Sequence, residues 1–481
     1  MLQLVVFSAV EEINCGCLPA DVKIEVRTGL TALDISPADF IDGKLLSSRE
    51  VCASNNTTIY EYTLSYEDNQ LGSYDSGTDI AVPLTSRQVK GFFCKDCLFR
   101  FTETIVQCPE CPECELCFDP EALTLLEDLD LGDRSLKWLH GVLHSNGKIY
   151  AMPNIGSGSG SDLPSESALI ITPASQSYEV ADESIADAIG SGGPKLYRNS
   201  VALENGDIYA CPNSGGSTRP IIKFNVTTEE VTTIDYSSLA GQLHSTVSPT
   251  SSSANFFSSV HLAPNGSLYF VPGPDSNNIS VSYLGVLKLD PSDDSLSVID
   301  ISGMGSTATR RGWCGGAITD DGVIYAGQGF GTTLLKIDTT TDTVTLLGSF
   351  SISNDPGHQS TVIGSDGRVY FTPGTRGEVR ILDPDTDANF AIGNGTILGT
   401  SRNIWGNGFL APDGAVWVPL GGNDTGLYDD SRILRIYPNL NLDFDLVLSE
   451  SSLDRYYHGV VGLDSKVYMI PSSANNVAVI G

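Results

Sequence analysis

The sequence predicts an all-β protein: a seven-bladed β-propeller closed by an N-terminal outer strand, preceded by a small β-rich domain and a cysteine-rich neck. Three observations predict it. One hairpin-like segment recurs seven times after residue 138, its spacing holds four short strands, and the last copy is one strand short.

The recurring segment runs apolar, polar, Asn or Asp, Gly, any residue, β-branched or Leu, aromatic. Its copies are Asn146-Gly147-Lys148-Ile149-Tyr150, Asn205-Gly206-Asp207-Ile208-Tyr209, Asn265-Gly266-Ser267-Leu268-Tyr269, Asp321-Gly322-Val323-Ile324-Tyr325, Asp366-Gly367-Arg368-Val369-Tyr370, Asp413-Gly414-Ala415-Val416-Trp417 and Asp464-Ser465-Lys466-Val467-Tyr468. Asn-Gly or Asp-Gly between alternating apolar residues marks a tight hairpin, and the expectation is a type I′ turn with φ > 0 at both central residues. The turn residues lie 45 to 60 positions apart, which accommodates the four strands of a propeller blade. A second hairpin follows in the repeats, as in 221–224 with 231–234, 286–289 with 296–299 and 334–337 with 344–347, and Asp-Pro or Asp-Thr-Thr supplies the turn chemistry.

After Tyr468 only one strand, 476–480, remains before Gly481. Residues 123–129 have the apolar character of a blade's outer strand and no partner of their own, so residues 122–131 are expected to complete the seventh blade. Closure protects sheet edges, which otherwise template aggregation.

With these motifs in place, residues 121–481 resemble the seven-bladed propellers of the YncE, NHL and virginiamycin-lyase-like group. That resemblance implies the fold over about 360 residues and little about activity, since such propellers include lyases, oxidoreductases, scaffolds and adhesins. Virginiamycin-lyase-like enzymes use channel His and Glu residues with a divalent cation; no matching set maps onto this sequence.

The repeat also places candidate site residues. Nine positions before each turn residue stand Trp138, Tyr197, Phe257, Trp313, His358, Trp405 and Tyr456, and seven before stand His140, Asn199, Ser259, Gly315, Ser360, Asn407 and His458. Both rings belong near the channel mouth. The aromatics either wedge neighbouring blades together or stand exposed as stacking platforms for sugar rings. Lys137, Lys195, Arg198, Arg310, Arg311, Arg402 and Arg455 cluster at the same loops, pointing to an anionic or polyhydroxylated ligand. Glycine- and serine-rich loops such as 156–161 and 421–425 are solvated connections that could add hydrogen bonds. His140 and His458 occupy equivalent positions in blades that become neighbours on closure, where they could share a metal or act as an acid/base pair. No carboxylate stands at an equivalent position, no nucleophile elbow, phosphate loop or dinucleotide motif appears, and no catalytic residue is assigned.

The net charge is −32 with a charged fraction of 18%. Too few cations remain to neutralise a nucleic-acid backbone or anchor on an anionic membrane. No apolar run reaches the roughly 18 residues of a membrane span. The apolar start at residues 1–10 lacks a basic flank and is expected to be a strand rather than a signal peptide. The seven Asn-x-Ser/Thr sequons do not establish secretion in a chain so rich in these residues.

Residues 1–104 do not repeat. Strict alternation at 22–27 and 59–66 predicts a separate small β domain. Residues 105–120 form the neck, where Cys108, Cys111, Cys114 and Cys117 follow Cys94 and Cys97. A three-residue period with prolines suits polyproline II, which lines cysteines along one edge. Structural zinc on these six cysteines, disulfides (within the chain or between chains at a symmetry axis), and free thiols are the alternatives. Cys211 and Cys314 are expected to be buried in blades.

The segment 89–97, after a Thr/Ser-rich β domain, resembles the virion-attachment region of phage tail fibres. That resemblance implies a virion structural or adhesion protein at the virion surface, anchored to other virion proteins through residues 1–104. It also implies a trimeric neck and a propeller that binds a host-surface glycan or another structural protein. The alternatives are a lyase- or hydrolase-type propeller enzyme acting near His140 and His458, and a non-viral scaffold, extracellular or periplasmic, that binds protein.

Overall fold

The computed structural model describes side chains in residues 118–120, 122–126, 131, 137–154, 167–182, 185, 197–212, 219–245, 257–273, 282–304, 312–328, 333–348, 360–373, 378–393, 405–420, 432–438, 440–443, 446, 448 and 456–481. The chain divides into two compact units, Met1–Cys117 and Phe118–Gly481. In the first, only strand backbone is described. Thr31–Asp34, Val22–Thr28, Leu2–Ser8 and Val82–Leu84 form one four-stranded sheet, and Lys44–Ser54, Thr57–Ser65, Gln88–Cys94 and Cys97–Arg100 form another. The expected cysteine neck, with Cys108, Cys111, Cys114 and Cys117, lies outside the described residues, as do the side chains of Cys94 and Cys97.

The second unit is a seven-bladed propeller. Its third blade shows the plan, with Phe257–Leu262, Leu268–Pro272, Gly285–Asp290 and Ser295–Asp300 as an antiparallel meander. The seventh blade is completed from the other end of the unit: Leu123–Leu126 pairs antiparallel with Val477–Ile480, in the register Val477↔Leu126 to Ile480↔Leu123. Gly481 N–H donates to the Ala122 carbonyl at 3.0 Å. The sixth blade is the least regular, with an inner strand of two residues, Phe409–Leu410, and an outer edge split into Leu442–Asp443 and Val447–Ser449.

The hairpin turns differ from the expected type. Gly147, Gly206, Gly266, Gly322, Gly367 and Gly414 have φ between 77° and 94°, and Ser465 has φ 62°, but the Asn or Asp before each does not enter the left-handed region. In the first blade Gly147 N–H bonds to the His144 carbonyl and His144 N–H to the Lys148 carbonyl, both at 2.9 Å. This is a type I turn followed by one left-handed residue, the three-residue hairpin loop. The Asn or Asp holds the turn by accepting the N–H two residues on, as Asn146 Oδ1 does from Lys148 at 3.0 Å and Asp413 Oδ1 from Ala415 at 3.0 Å.

Apolar clusters bridge neighbouring blades. Trp313 packs with Tyr269, Val271 and Val286 of the third blade and with Ile324 and Leu335 of its own. Trp138 joins Tyr468, Ile470 and Val477 of the seventh blade, together with Leu126 of the closing strand. Between the outer parts of the blades a second device recurs. Tyr209 and Lys223 hold Asp294 of the next blade at 2.7 and 3.0 Å. Tyr269 and Lys288 hold Asp342 at 2.5 and 2.7 Å, and Lys336 reaches Asp387 at 3.0 Å. Each ammonium lies 5.3 to 5.4 Å from the centre of its own blade's tyrosine ring. The three aspartates sit in the left-handed region, φ 54° to 56°, which Asp and Asn tolerate better than other side chains. Asp342→Asn keeps the backbone and removes the charge. It should lower stability by about 1 kcal/mol, as for a partly exposed pair, and urea unfolding should show the loss shrinking in 1 M salt.

Candidate functional site

The propeller axis is lined by the innermost strands, and these strands share an irregularity. The register shifts between Trp138 and Gly141, Tyr197 and Asn199, Phe257 and Ser259, Cys314 and Ala317, His358 and Thr361, and Tyr456 and His458. A bulge leaves residues unpaired and re-aims side chains that would otherwise alternate across the sheet. Consecutive residues such as Arg198 with Asn199, and Ser258 with Ser259, therefore line the same central cavity of about 240 Å³.

The expected polar ring is brought together in full: His140, Asn199, Ser259, Gly315, Ser360, Asn407 and His458 all line this cavity, and so does Arg198. The aromatic ring is not exposed. Trp138, Tyr197, Phe257, Trp313, Trp405 and Tyr456 are at most 1% accessible. Trp138 donates its indole N–H to the Ser167 carbonyl at 3.1 Å, and Tyr197 its hydroxyl to the Pro220 carbonyl at 3.0 Å. These rings wedge the blades together, and the stacking-platform expectation is corrected: no face is left for a sugar. Arg310, Arg311, Arg402, Arg455 and the side chain of His358 lie outside the described residues.

Hydrogen bonds between blades set the protonation of the histidines. Asn199 Oδ1 accepts the Val260 N–H at 2.9 Å, so its amide nitrogen is the end that faces His140 Nε2 at 3.1 Å. A backbone N–H can only donate, and this assigns the amide. His140 Nε2 is thereby an acceptor and the ring proton sits on Nδ1, which has no partner. On the other side His458 Nδ1 accepts the Gly141 N–H at 3.3 Å, which places its proton on Nε2. The two rings stack with centroids 4.2 Å apart and planes 22° from parallel.

Both are neutral. Burial, and secondarily the nearby His261, pushes His140 down to about 3, although one edge of the ring meets the cavity. Burial and then His140 hold His458 well below the usual histidine range. Burial likewise lowers His261 to about 4, and its Nε2 lies 2.8 Å from Ser259 Oγ. Arg198 keeps its charge and donates to Tyr457 Oη at 3.2 Å. No Asp or Glu among the described residues lines the cavity. Among the described residues no group of three His, Cys, Asp or Glu is placed to hold a metal, and no helix is long and apolar enough to cross a membrane.

A fixed count back from the turn misses Ser200, Ser258, His261, Gly316 and Thr361, which also line the cavity. The available signal was a run of polar residues, Arg198-Asn199-Ser200 or Ser258-Ser259, in strands that should alternate. Cys211 and Cys314 are buried free thiols, as expected.

No protein-family model matches this sequence and no curated protein matches it. Solved structures do. A streptogramin B lyase is similar with a TM-score of 0.52 at 12% identity, over 75% of this chain and 97% of that one. The extracellular domain of a protein described as a hybrid two-component system, from B. thetaiotaomicron, is similar with a TM-score of 0.50 at 11% identity, over 99% of this chain and 58% of that one. At such identity the likeness shows the propeller fold alone. The comparisons give no support to the tail-fibre resemblance of the N-terminal region.

Proposed function

We propose that the propeller is a binding head that holds part of its ligand non-covalently in the central cavity and does not turn it over. The observation that carries this reading is the bonding of the histidine pair. A general base needs a free lone pair and a pKa near the working pH. The lone pair of His140 Nε2 faces the Asn199 amide, that of His458 Nδ1 accepts Gly141 N–H, and burial keeps both rings from taking up a second proton. Among the described residues no carboxylate stands in the wall to restore their basicity.

With the aromatic rings buried, recognition falls to the polar wall rather than to sugar stacking. The cavity is smaller than the roughly 300–1,000 Å³ of sites that enclose a whole small molecule, so it suits one end group of a larger ligand, such as a protein segment. Attachment through residues 1–104, a virion, extracellular or periplasmic setting, and zinc or disulfides in an oligomeric neck are the sequence's contribution to this proposal.

Ligand-observed NMR of the full chain with neutral and anionic fragments tests it, alongside incubation with a streptogramin B. Saturable fragment binding is expected, lost in Asn407→Phe, which fills the cavity and forfeits one long hydrogen bond to the Leu139 carbonyl, 3.4 Å. The streptogramin should persist unchanged. Conversion that stops in His140→Ala would overturn the non-catalytic reading, and fragment binding that survives Asn407→Phe would move the site out of the cavity.

A further inference from the structure

We propose that the group taken into the cavity is a carboxylate, with the Arg198 guanidinium as its counter-charge and the neutral hydrogen-bond donors of the wall around it. This rests on the cavity being the binding site and adds the chemical class of what enters.

About one residue in eight of the chain is Asp or Glu, yet among the described residues none lines the cavity, and Arg198 is the one described wall residue that is charged at neutral pH. Taking a cation out of water costs several kcal/mol unless an anion or several acceptors compensate it. Arg198 has five N–H donors, and its side-chain partner among the described residues is the neutral Tyr457 hydroxyl at 3.2 Å, reached across the first blade. No ion pair to it occurs among the described residues. Among the described residues the site therefore lacks the counter-charge that a partly buried guanidinium ordinarily has.

The rest of the wall points the same way. The tautomers imposed by Val260 N–H and Gly141 N–H leave N–H donors on both stacked rings, Nδ1 of His140 and Nε2 of His458. The His140 Nδ1 atom, Ser200 Oγ and Thr361 Oγ1 are unpartnered but enclosed; their residues line the cavity, while these atoms sit beneath its surface. Among the described residues the wall carries one cation and no acid, which repels cations and favours acceptor-rich groups. One guanidinium matches one negative charge, and its fork fits the two oxygens of a carboxylate. A dianionic phosphate would leave a second buried charge uncompensated.

The test titrates the full chain with acetate, with its neutral isostere acetamide, and with inorganic phosphate at pH 7.5, by ligand-observed NMR. Acetate should saturate, acetamide should bind at least about tenfold more weakly, and phosphate should bind no tighter than acetate. Arg198→Met, which keeps length without charge, should weaken acetate by about tenfold or more and leave acetamide unchanged. Arg198→Lys should retain part of the acetate affinity because charge survives without the fork, and it serves if the Met variant fails to fold. Equal binding of acetate and acetamide, phosphate binding tighter than acetate, or acetate binding indifferent to both substitutions overturns the proposal. The two readings fail differently. If the cavity binds other groups, Asn407→Phe abolishes fragment binding while acetate ignores Arg198; if it binds nothing, Asn407→Phe changes no titration.

Discussion

Leu126→Ala should destabilise the propeller by about 2–5 kcal/mol, the range for a buried leucine truncated in a packed core. Leu125→Ala, one position away on the same strand, should cost under about 1 kcal/mol, as exposed positions do. Leu126 is 7% accessible and Leu125 41%. Leu126 joins the cluster of Trp138, Ile149 and Tyr468 where the first and seventh blades meet, and it pairs with Val477. Leu126→Asp should cost more, because it places an unpaired carboxylate among those side chains. The measurement is the urea midpoint and slope for each variant. Equal costs at 125 and 126 would mean that this segment does not close the ring. Since the seventh sheet has only the three strands Tyr456–Val461, Val467–Pro471 and Val477–Ile480 without it, loosening the closing strand should also expose an edge and favour aggregation.

Acidification from pH 7 to pH 5 should lower stability steeply, well before most carboxylates titrate. Burial depresses His140 and His244 to about 3 and His261 to about 4, and burial with His140 holds His458 well below the usual histidine range. In the unfolded chain each returns to the ordinary value near 6.5. Above 6.5 both states are neutral and the native state has its full stability. Below 6.5 the unfolded chain binds protons that the native state refuses, so stability falls with pH until the native values are reached. Each histidine contributes a slope of up to about 1.4 kcal/mol per pH unit, so four of them can remove on the order of 5 kcal/mol by pH 5, comparable with the whole stability of many domains. The net charge of −32 acts oppositely, since self-repulsion relaxes as carboxylates take up protons, but mainly nearer pH 4. Urea midpoints at half-unit steps between pH 7 and pH 5 measure the effect. A flat or rising midpoint would show that these four buried histidines are not held neutral.

The burial that keeps His140 and His458 neutral, with the bonds that occupy their lone pairs, also separates a binding cavity from an acid/base site, so the pH profile bears on function as well as stability. Their pairing was visible in the sequence because the repeat assigns them equivalent positions and closure makes the first and seventh blades neighbours. What each nitrogen does was not visible. It depends on the N–H groups of Gly141 and Val260 and the Asn199 amide, which belong to different blades. The same holds for Arg198 and Tyr457, 259 positions apart in the chain. The aromatic positions show the limit from another side. A ring recurring at one offset is equally consistent with a wedge between blades or a platform at the mouth, and only packing on both faces distinguishes the two.

Blade number, strand order and the closing segment were legible because each follows from local rules repeated seven times: turn residues at a fixed place, alternation in the strands, and a last copy one strand short. Hydrogen-bonding valence then requires a partner for the open edge, and one unpaired apolar segment was on offer. The bulges, the burial of the aromatic ring and the neutrality of the histidines came from the tertiary structure alone. They arise where blades converge on the axis, and there the partner of each group is a residue from another repeat, so no local pattern encodes it.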